Sequence, residues 1–258
     1  KTVKDQYRKI ALNAGSSCGC SSTACCSEPN ELKQESLIRL STPLGYSKND
    51  LQSAPAGSNL ALGCGNPQAI AALNEGEAVL DLGSGAGFDC FLAAKQVGPG
   101  GKVLGIDMTP EMIKKASDNA RKGGFHHVQF QLAEIEHLPL PSASFDVIIS
   151  NCVINLSPNK KRVFQEACRV LKPGGRLAIS DVVALGDLPA FIRKDPNLIS
   201  ACIAGAIPVE QLRKILSTTG FKEIQIIPHA KTDQIIHEWA PDLNPEDFIQ
   251  SAAIWAIK

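Results

Sequence analysis

Apolar and polar positions alternate with two different rhythms along the chain. From Glu77 onward, EAVLDLG, KVLGID, HVQFQLA, FDVIISN and RLAISDVV are short apolar runs of the kind that fill buried strands. Between them stand GFDCFLAAKQV, TPEMIKKASDNARK and SPNKKRVFQEACRVL, whose apolar residues recur every three or four positions and so predict helices. Residue type marks their ends. Thr109 and Pro110 cap and open the second helix, Gly123-Gly124 end it, and Ser157-Pro158 open the third. KPGG predicts a turn before the fifth strand. Strand and helix in alternation predict an α/β fold, a mostly parallel sheet with helices on both faces.

Outside this stretch the rhythm weakens. Residues 1–12 predict a short helix, AGSSCGCSSTACCSEPN has no apolar period, Glu31–Leu40 predicts one more helix, and turn signals follow as far as Gly65. Asn66-Pro67 predicts the cap and first residue of a helix ending near Gly76. After Ala184 come helical pieces at Asp187–Arg193 and Asn197–Ile203, a firmer helix from Pro208 to Thr219 closed by Gly220, then KEIQIIP and a terminal strand in SAAIWAIK. The expected organisation is an N-terminal appendage with a Cys-rich segment over 1–65 and a core over 66–183. A substrate-side C-terminal region over 184–258 then completes the sheet.

Charge and composition narrow the function. The 26 Lys and Arg are balanced by 26 Asp and Glu, with no long basic run, so nucleic acid is not an expected partner. No stretch approaches the ~20 apolar residues that span a bilayer, and the start lacks the apolar region of a signal peptide. No membrane partner and a cytoplasmic location are expected, with room for a short piece ahead of the first residue. The nine cysteines, Cys18, Cys20, Cys25, Cys26, Cys64, Cys90, Cys152, Cys168 and Cys202, fall far short of the ~8–10% found in disulfide scaffolds. Four crowd into one polar segment and the rest are scattered, unlike the paired spacing of a zinc finger. Thiols beyond packing needs suggest a soft ligand.

The strongest local signal is VLDLGSGAGFDC, a buried strand running into Gly83-Ser84-Gly85-Ala86-Gly87 and then a helix. Glycines turn the chain tightly, the helix start offers free N–H groups, and Asp107 at the end of the next strand can accept hydrogen bonds from ribose hydroxyls. The last glycine comes one residue earlier than in the dinucleotide fingerprint. With Asp81 just ahead of the loop, the motif resembles that of the class I (Rossmann-like) S-adenosylmethionine methyltransferases. That resemblance implies that Asp81, Gly83, Ser84, Gly85 and Gly87 face the methionyl part of the cofactor. It also implies that Asp107 holds the ribose, Met108 lies against the adenine, and Ile135 and Glu136 flank the adenine ring and its amine. FDVIISN followed by RVLKPGGRLAISD extends the likeness from about Glu77 to Asp181.

In an open parallel sheet ligands bind at the carboxyl ends of the strands where the order reverses, here between the first and fourth. Asn151, counted with the cofactor set, and Cys152 fall on that rim, and Cys64 and Cys202 can approach it from the preceding and following segments. Cys90 and Cys168 lie on apolar helix faces and are expected in the core, and the histidines are expected at the surface or in turns. Three readings stay open on the residues alone. They are an enzyme of soft-ligand chemistry, a non-catalytic metalloid or zinc binder working through the CxC and CC cluster, and a small-molecule methyltransferase of other specificity.

LGCGNP, DLGSGAGFDC, GIDMTPEM, SNCVINL and SACIAGA, in this order, resemble the arsenite S-adenosylmethionine methyltransferases, and SNCVINL is the most specific of them. The resemblance implies that Cys64, Cys152 and Cys202 bind trivalent arsenic and that an N-terminal thiol, Cys25 or Cys26, takes part in the reaction cycle. It implies arsenite, its thiol conjugates and methylarsenite as substrates, with a disulfide reopened by a thiol reductant of the thioredoxin or glutathione system. The chemistry suits the residues. Trivalent arsenic is thiophilic, and its lone pair can attack a sulfonium methyl without a general base.

Overall fold

Seven strands form a single sheet in the computed structural model, which describes residues 2–13, 30–229, 236–237, 239–240 and 243–258. β1 (Ala78–Leu82), β2 (Lys102–Asp107), β3 (Val128–Leu132), β4 (Phe145–Asn151) and β5 (Leu171–Ala184) run parallel. β6 (Lys222–Pro228) and β7 (Ile249–Ile257) close one edge, β7 lying antiparallel to both β5 and β6. The order is β3-β2-β1-β4-β5-β7-β6, so the direction of winding reverses between β1 and β4. The alternating pattern predicts this mostly parallel sheet, and the order is the arrangement that the resemblance to class I methyltransferases implies.

The helices are α1 (Thr2–Asn13), α2 (Asn30–Ser41), α3 (Lys48–Ser53), α4 (Gln68–Ala71), α5 (Phe88–Val97), α6 (Pro110–Gly123), α7 (Lys160–Val170), α8 (Ala190–Lys194), α9 (Pro196–Ser200) and α10 (Val209–Thr218). Alternation along the strands sends side chains to two cores. Leu80, Leu82, Ile148 and Ile179 pack with Phe164 and Leu216 of α7 and α10 on one face. Val79, Val147, Ile149 and Ala178 pack with Phe91 of α5 on the other. Each such side chain, fully buried, contributes about 1.5–3 kcal/mol, enough in sum to hold the ends of β1 and β4 rigidly in place.

Several expected boundaries move. The helix expected from Asn66-Pro67 to Gly76 is one turn, α4, because Ala72 turns left-handed (φ 45°) and Arg176 takes the carbonyls of Ala71 and Ala72 instead. The opening of α7 falls later than Ser157-Pro158: Asn159 is the cap, its side chain accepting from the Arg162 N–H. Thr109 stands at the N-cap of α6, but its hydroxyl makes no cap bond. KPGG belongs to β5 as an irregularity, pairing jumping from Phe145↔Leu171 to Val147↔Arg176, with Gly174 at φ 75°. α8 and α9 are shorter than the helical pieces expected there, and α3, with its Ser47–Asp50 capping box, was not predicted. The Cys-rich segment holding Cys18, Cys20, Cys25 and Cys26 lies outside the described residues. Among the described residues no helix is long and apolar enough to cross a membrane.

Candidate active site

The carboxyl ends of β1, β2 and β4 open into a cavity of about 380 Å³ lined by Asp81, Gly83, Ser84, Gly85, Asp107, Met108, Ile135, Glu136, Asn151 and Cys152. Its first wall is the glycine loop. Gly83 and Gly85 take positive φ (75° and 52°), which only glycine adopts freely, and the N–H groups of Gly83 and Ser84 both donate to the Ile106 carbonyl at 2.7 and 2.9 Å. The loop is thereby folded back onto β2. Asp107 accepts from the Gly85 N–H on one carboxylate oxygen (3.0 Å) and from the Thr109 N–H on the other (2.8 Å), keeping lone pairs for a ligand. Gly87 is the exception among the expected residues. It caps α5 away from the cavity, where a Cβ would run into Phe130 and Phe91.

At the far end of this wall stand two buried carboxylates. Burial, and then the charge of Asp89, push Asp81 well above the usual carboxylate range, and burial pushes Asp89 up to about 6. Asp89 accepts from Tyr46 Oη at 2.7 Å and Asn151 Nδ2 at 3.2 Å, while the Cys90 thiol donates to Asp81 at 3.2 Å. Cys90 thus lies in the core as expected, yet touches the wall. A pair of acids so placed favours a cationic ligand group.

The residues fit S-adenosylmethionine on a separate observation. Ser84 Oγ and Thr109 Oγ1, both on the cavity wall, are buried with no hydrogen-bond partner among the described residues. Such groups are costly to bury unless a ligand completes them. Asp81 and Asp89 suit an ammonium, Asp107 suits ribose hydroxyls, and Ile135 and Met108 offer apolar surface to a base. Ser157 Oγ donates to one carboxylate oxygen of Glu136, which lines the cavity and keeps acceptor capacity on the other.

The opposite wall carries sulfur. Cys64 is held by its backbone, the N–H donating to Asn151 Oδ1 at 3.0 Å and the carbonyl accepting from Ser251 Oγ at 2.6 Å. The glycines on either side permit this approach, since a Cβ at Gly63 would meet Asn151 and one at Gly65 would meet Ser180 at 2.9 Å. Asn151, expected to bind cofactor, lines the cavity but commits its amide to Tyr46, Gly65, Asp89 and Cys64. It is the joint between the two walls. Cys152 donates its N–H to the Ser180 carbonyl (2.8 Å), and the Cys202 thiol donates to the Cys152 carbonyl (2.8 Å). Both Cys152 and Cys202 have left-handed backbones, φ 58° and 63°, a costly conformation for a residue with a Cβ that must be imposed by its surroundings.

The imposing group is one the sequence reading missed. Asp181 accepts the N–H groups of Ile154 (2.9 Å), Asn155 and Val182 (2.8 Å) and the side-chain amide of Asn155 (2.9 Å), fixing the turn that follows Cys152. Gly205 lies directly on the Asn155 carbonyl, where any Cβ would overlap it, so the Cys202 segment is tied to the Cys152 turn. The Ile-Asn of SNCVINL and the Gly of SACIAGA are therefore the clamp between two thiols. A sulfur of Cys64, a sulfur of Cys152 and an oxygen of Asp181 all lie within 4.8 Å of one another.

The chain brings its three expected thiols together, all buried, with Cys152 on the cavity and the other two beside it. Burial pushes Cys64 up to about 11 and Cys152 well above the usual thiol value. For Cys202 the contact with Cys152 acts first and burial second, in the same direction. All three are neutral thiols near pH 7. Cys168 is half-buried against the Gly220 turn, remote from the cavity.

A Rossmann-like sheet, a glycine loop with an acid on the next strand and a cavity at the topological switch define a class I S-adenosylmethionine methyltransferase domain. Residues 73–227 match the family model described as a methyltransferase domain. The chain is 45% identical over 262 residues to an arsenite methyltransferase of Halobacterium salinarum, covering 99% of this chain and 66% of that protein. It is 37% identical to an arsenite methyltransferase of Aquipseudomonas alcaligenes, covering 92% of this chain and 67% of the relative. Among solved structures, an arsenic (III) S-adenosylmethionine methyltransferase from Chlamydomonas reinhardtii aligns with TM-score 0.62 and 35% identity over 84% of this chain and 72% of that one. The chain belongs to the arsenite methyltransferase family. It spans about two thirds of the length of these two curated relatives.

Proposed function

We propose that this protein methylates trivalent arsenic, arsenite first and methylarsenite after it, with S-adenosylmethionine as donor, serving arsenic detoxification. The observation that carries the reading is the pairing of the Cys64 and Cys152 sulfurs, with the Cys202 thiol on the Cys152 carbonyl, at the edge of a cavity whose other wall suits that cofactor. Residues 1–65 supply Cys64 and part of the cavity, 66–183 the cofactor wall and 184–258 Cys202, which supports three functional regions in one site.

Neutral thiols suit a neutral substrate. Arsenite is As(OH)₃ near pH 7, and three thiols exchange for its three hydroxyls with release of three waters, so neither net charge nor a proton has to leave the buried site. A zinc ion would require deprotonated thiolates in the same surroundings, against the upward shifts of all three. Conjugates of arsenite with small thiols exchange in the same balanced way. When bound, S-adenosylmethionine supplies a methyl carbon on a sulfonium, the electrophile for the arsenic lone pair. Asp81 and Asp89 hold its ammonium end, Asp107 its ribose, and Met108 and Ile135 its base, while the thiols orient arsenic toward the cavity. Proximity and orientation of this kind can supply effective molarities of ~10⁵–10⁸ M.

Methylation leaves arsenic formally pentavalent. Two thiols joining as a disulfide return two electrons to arsenic, and a thiol reductant of the thioredoxin or glutathione type reopens the bridge. Cys25 or Cys26 is proposed as the further thiol in this cycle. The test is to incubate the full chain with arsenite, glutathione and S-adenosylmethionine and separate the arsenic species. Methylarsenicals that depend on the cofactor support the reading, and their absence with cofactor-competent protein ends it.

A further inference from the structure

One face of α1 lies over the cavity although neither wall requires it. Val3, Lys4 and Tyr7, at helical spacing, all line the cavity. α1 packs at once on α6, which opens just past Met108, and on α9, which ends two residues before Cys202. It therefore bridges the cofactor wall and the thiol wall. Arg8 Nε meets Glu111 of α6 at 2.8 Å on one side, and on the other Tyr7 Oη donates to the Ser200 carbonyl at 3.5 Å. Ser200 stands two residues ahead of Cys202, so this bond ties α1 to the segment that delivers the third thiol.

We propose that α1 is a lid over the methyl-transfer path and that Tyr7 is a positioning residue, its hydroxyl holding the Ser200 carbonyl and with it the Cys202 segment, while its ring walls water from the space between thiols and cofactor. The proposal rests on the arsenic-methylating reading for its kinetic consequence and on geometry alone for its structural one. Cys202 reaches the site on a strained backbone after a short helix, with one sulfur contact to Cys152. A donor on the Ser200 carbonyl sets where that backbone, and so its sulfur, sits, and a misplacement near 1 Å costs about a hundredfold in rate. Excluding water also strengthens every electrostatic contact inside the cavity.

The experiment uses the full chain with Tyr7→Phe and Tyr7→Ala. Tyr7→Phe is expected to lower kcat for methylarsenical formation about tenfold or more while KM for S-adenosylmethionine stays within about twofold. Tyr7→Ala, with S-adenosylhomocysteine bound, is expected to raise the rate at which iodoacetamide alkylates Cys202 about fivefold or more, read by peptide mass spectrometry. A wild-type kcat in the phenylalanine variant, a parallel loss of cofactor affinity there, or wild-type alkylation in the alanine variant overturns the proposal. If the wild-type chain forms no methylarsenical, the functional reading falls, and the alkylation of Cys202 still decides the role of Tyr7.

Discussion

From Asp81 to Thr109 the chain makes one strand-loop-helix-strand passage, and most of the bonds that shape the cofactor wall are made inside it. Gly83 and Ser84 bond to Ile106, and Gly85 and Thr109 to Asp107. The thiol wall is built the other way. Cys64, Cys152 and Cys202 arrive from three distant segments, and what holds them is borrowed: Asn151 for Cys64, Ser180 for Cys152, and the Asp181, Asn155 and Gly205 clamp for the turn and segment around Cys152 and Cys202. The difference teaches that cofactor binding here is a local property of sequence, whereas the thiol site exists only when the sheet is complete. The cofactor wall should thus tolerate damage to the thiol wall, but not the reverse wherever the two touch.

The sharpest way to separate them is Cys152→Ser. Loss of one of three soft ligands should remove methylation of arsenite altogether while S-adenosylmethionine still binds, as calorimetry on the variant would record. A variant that keeps arsenite activity breaks the three-thiol mechanism. Gly83→Ala should join the two halves in one failure. A side chain there is strained at φ 75°, by about 1–3 kcal/mol, and its Cβ overlaps Val153, next to Cys152, for about 1–3 kcal/mol more. Thermal melts should fall accordingly, and arsenite binding should weaken together with cofactor binding.

Asp107→Ala should act on one half only. Loss of hydrogen bonds to a charged acceptor, about 1.5–3 kcal/mol, corresponds to roughly ten- to a hundredfold in cofactor affinity, with arsenite capture by the thiols unchanged in a direct binding titration. The smallest effect is a dependence on pH. The Asp89 carboxyl is pushed up to about 6 by burial, against about 3.9 in an unfolded chain. A proton held more tightly in the folded state makes stability fall as pH rises through that window. Asp89→Asn should therefore gain Tm on the wild type between pH ~4 and ~6, and saturating S-adenosylmethionine should shrink the gain by giving the carboxylate an ammonium to face. A constant Tm difference across the range would overturn the upward shift of the Asp89 carboxyl.

Much of the cofactor wall could be read from residues in order. Asp81, the glycine loop and Asp107 follow a pattern in which spacing along the chain fixes spacing in the fold. Gly87 shows where the reading overreached, because its position in the motif said nothing of Phe91 and Phe130, which claim the space beside it. Asp89 and Tyr46 escaped notice for the opposite reason: each looks like an ordinary helix or loop residue until Asn151 joins them.

By itself the sequence determined the alternating strands and helices, the parallel sheet and the loop for a cofactor, since period, glycine placement and an acid at a strand end act over a few residues. It also singled out Cys64, Cys152 and Cys202 by the words around them. Tertiary packing alone brings the Cys64 and Cys152 sulfurs together and the Cys202 thiol onto the Cys152 carbonyl, keeps all three neutral and sets two of them on strained backbone, because those properties come from burial and from bonds across the sheet. The words SNCVINL and SACIAGA carry Asn155 and Gly205, but nothing local says that these residues and Asp181 form one clamp. It appears when β4 and β5 lie side by side and the chain after α9 folds back on them.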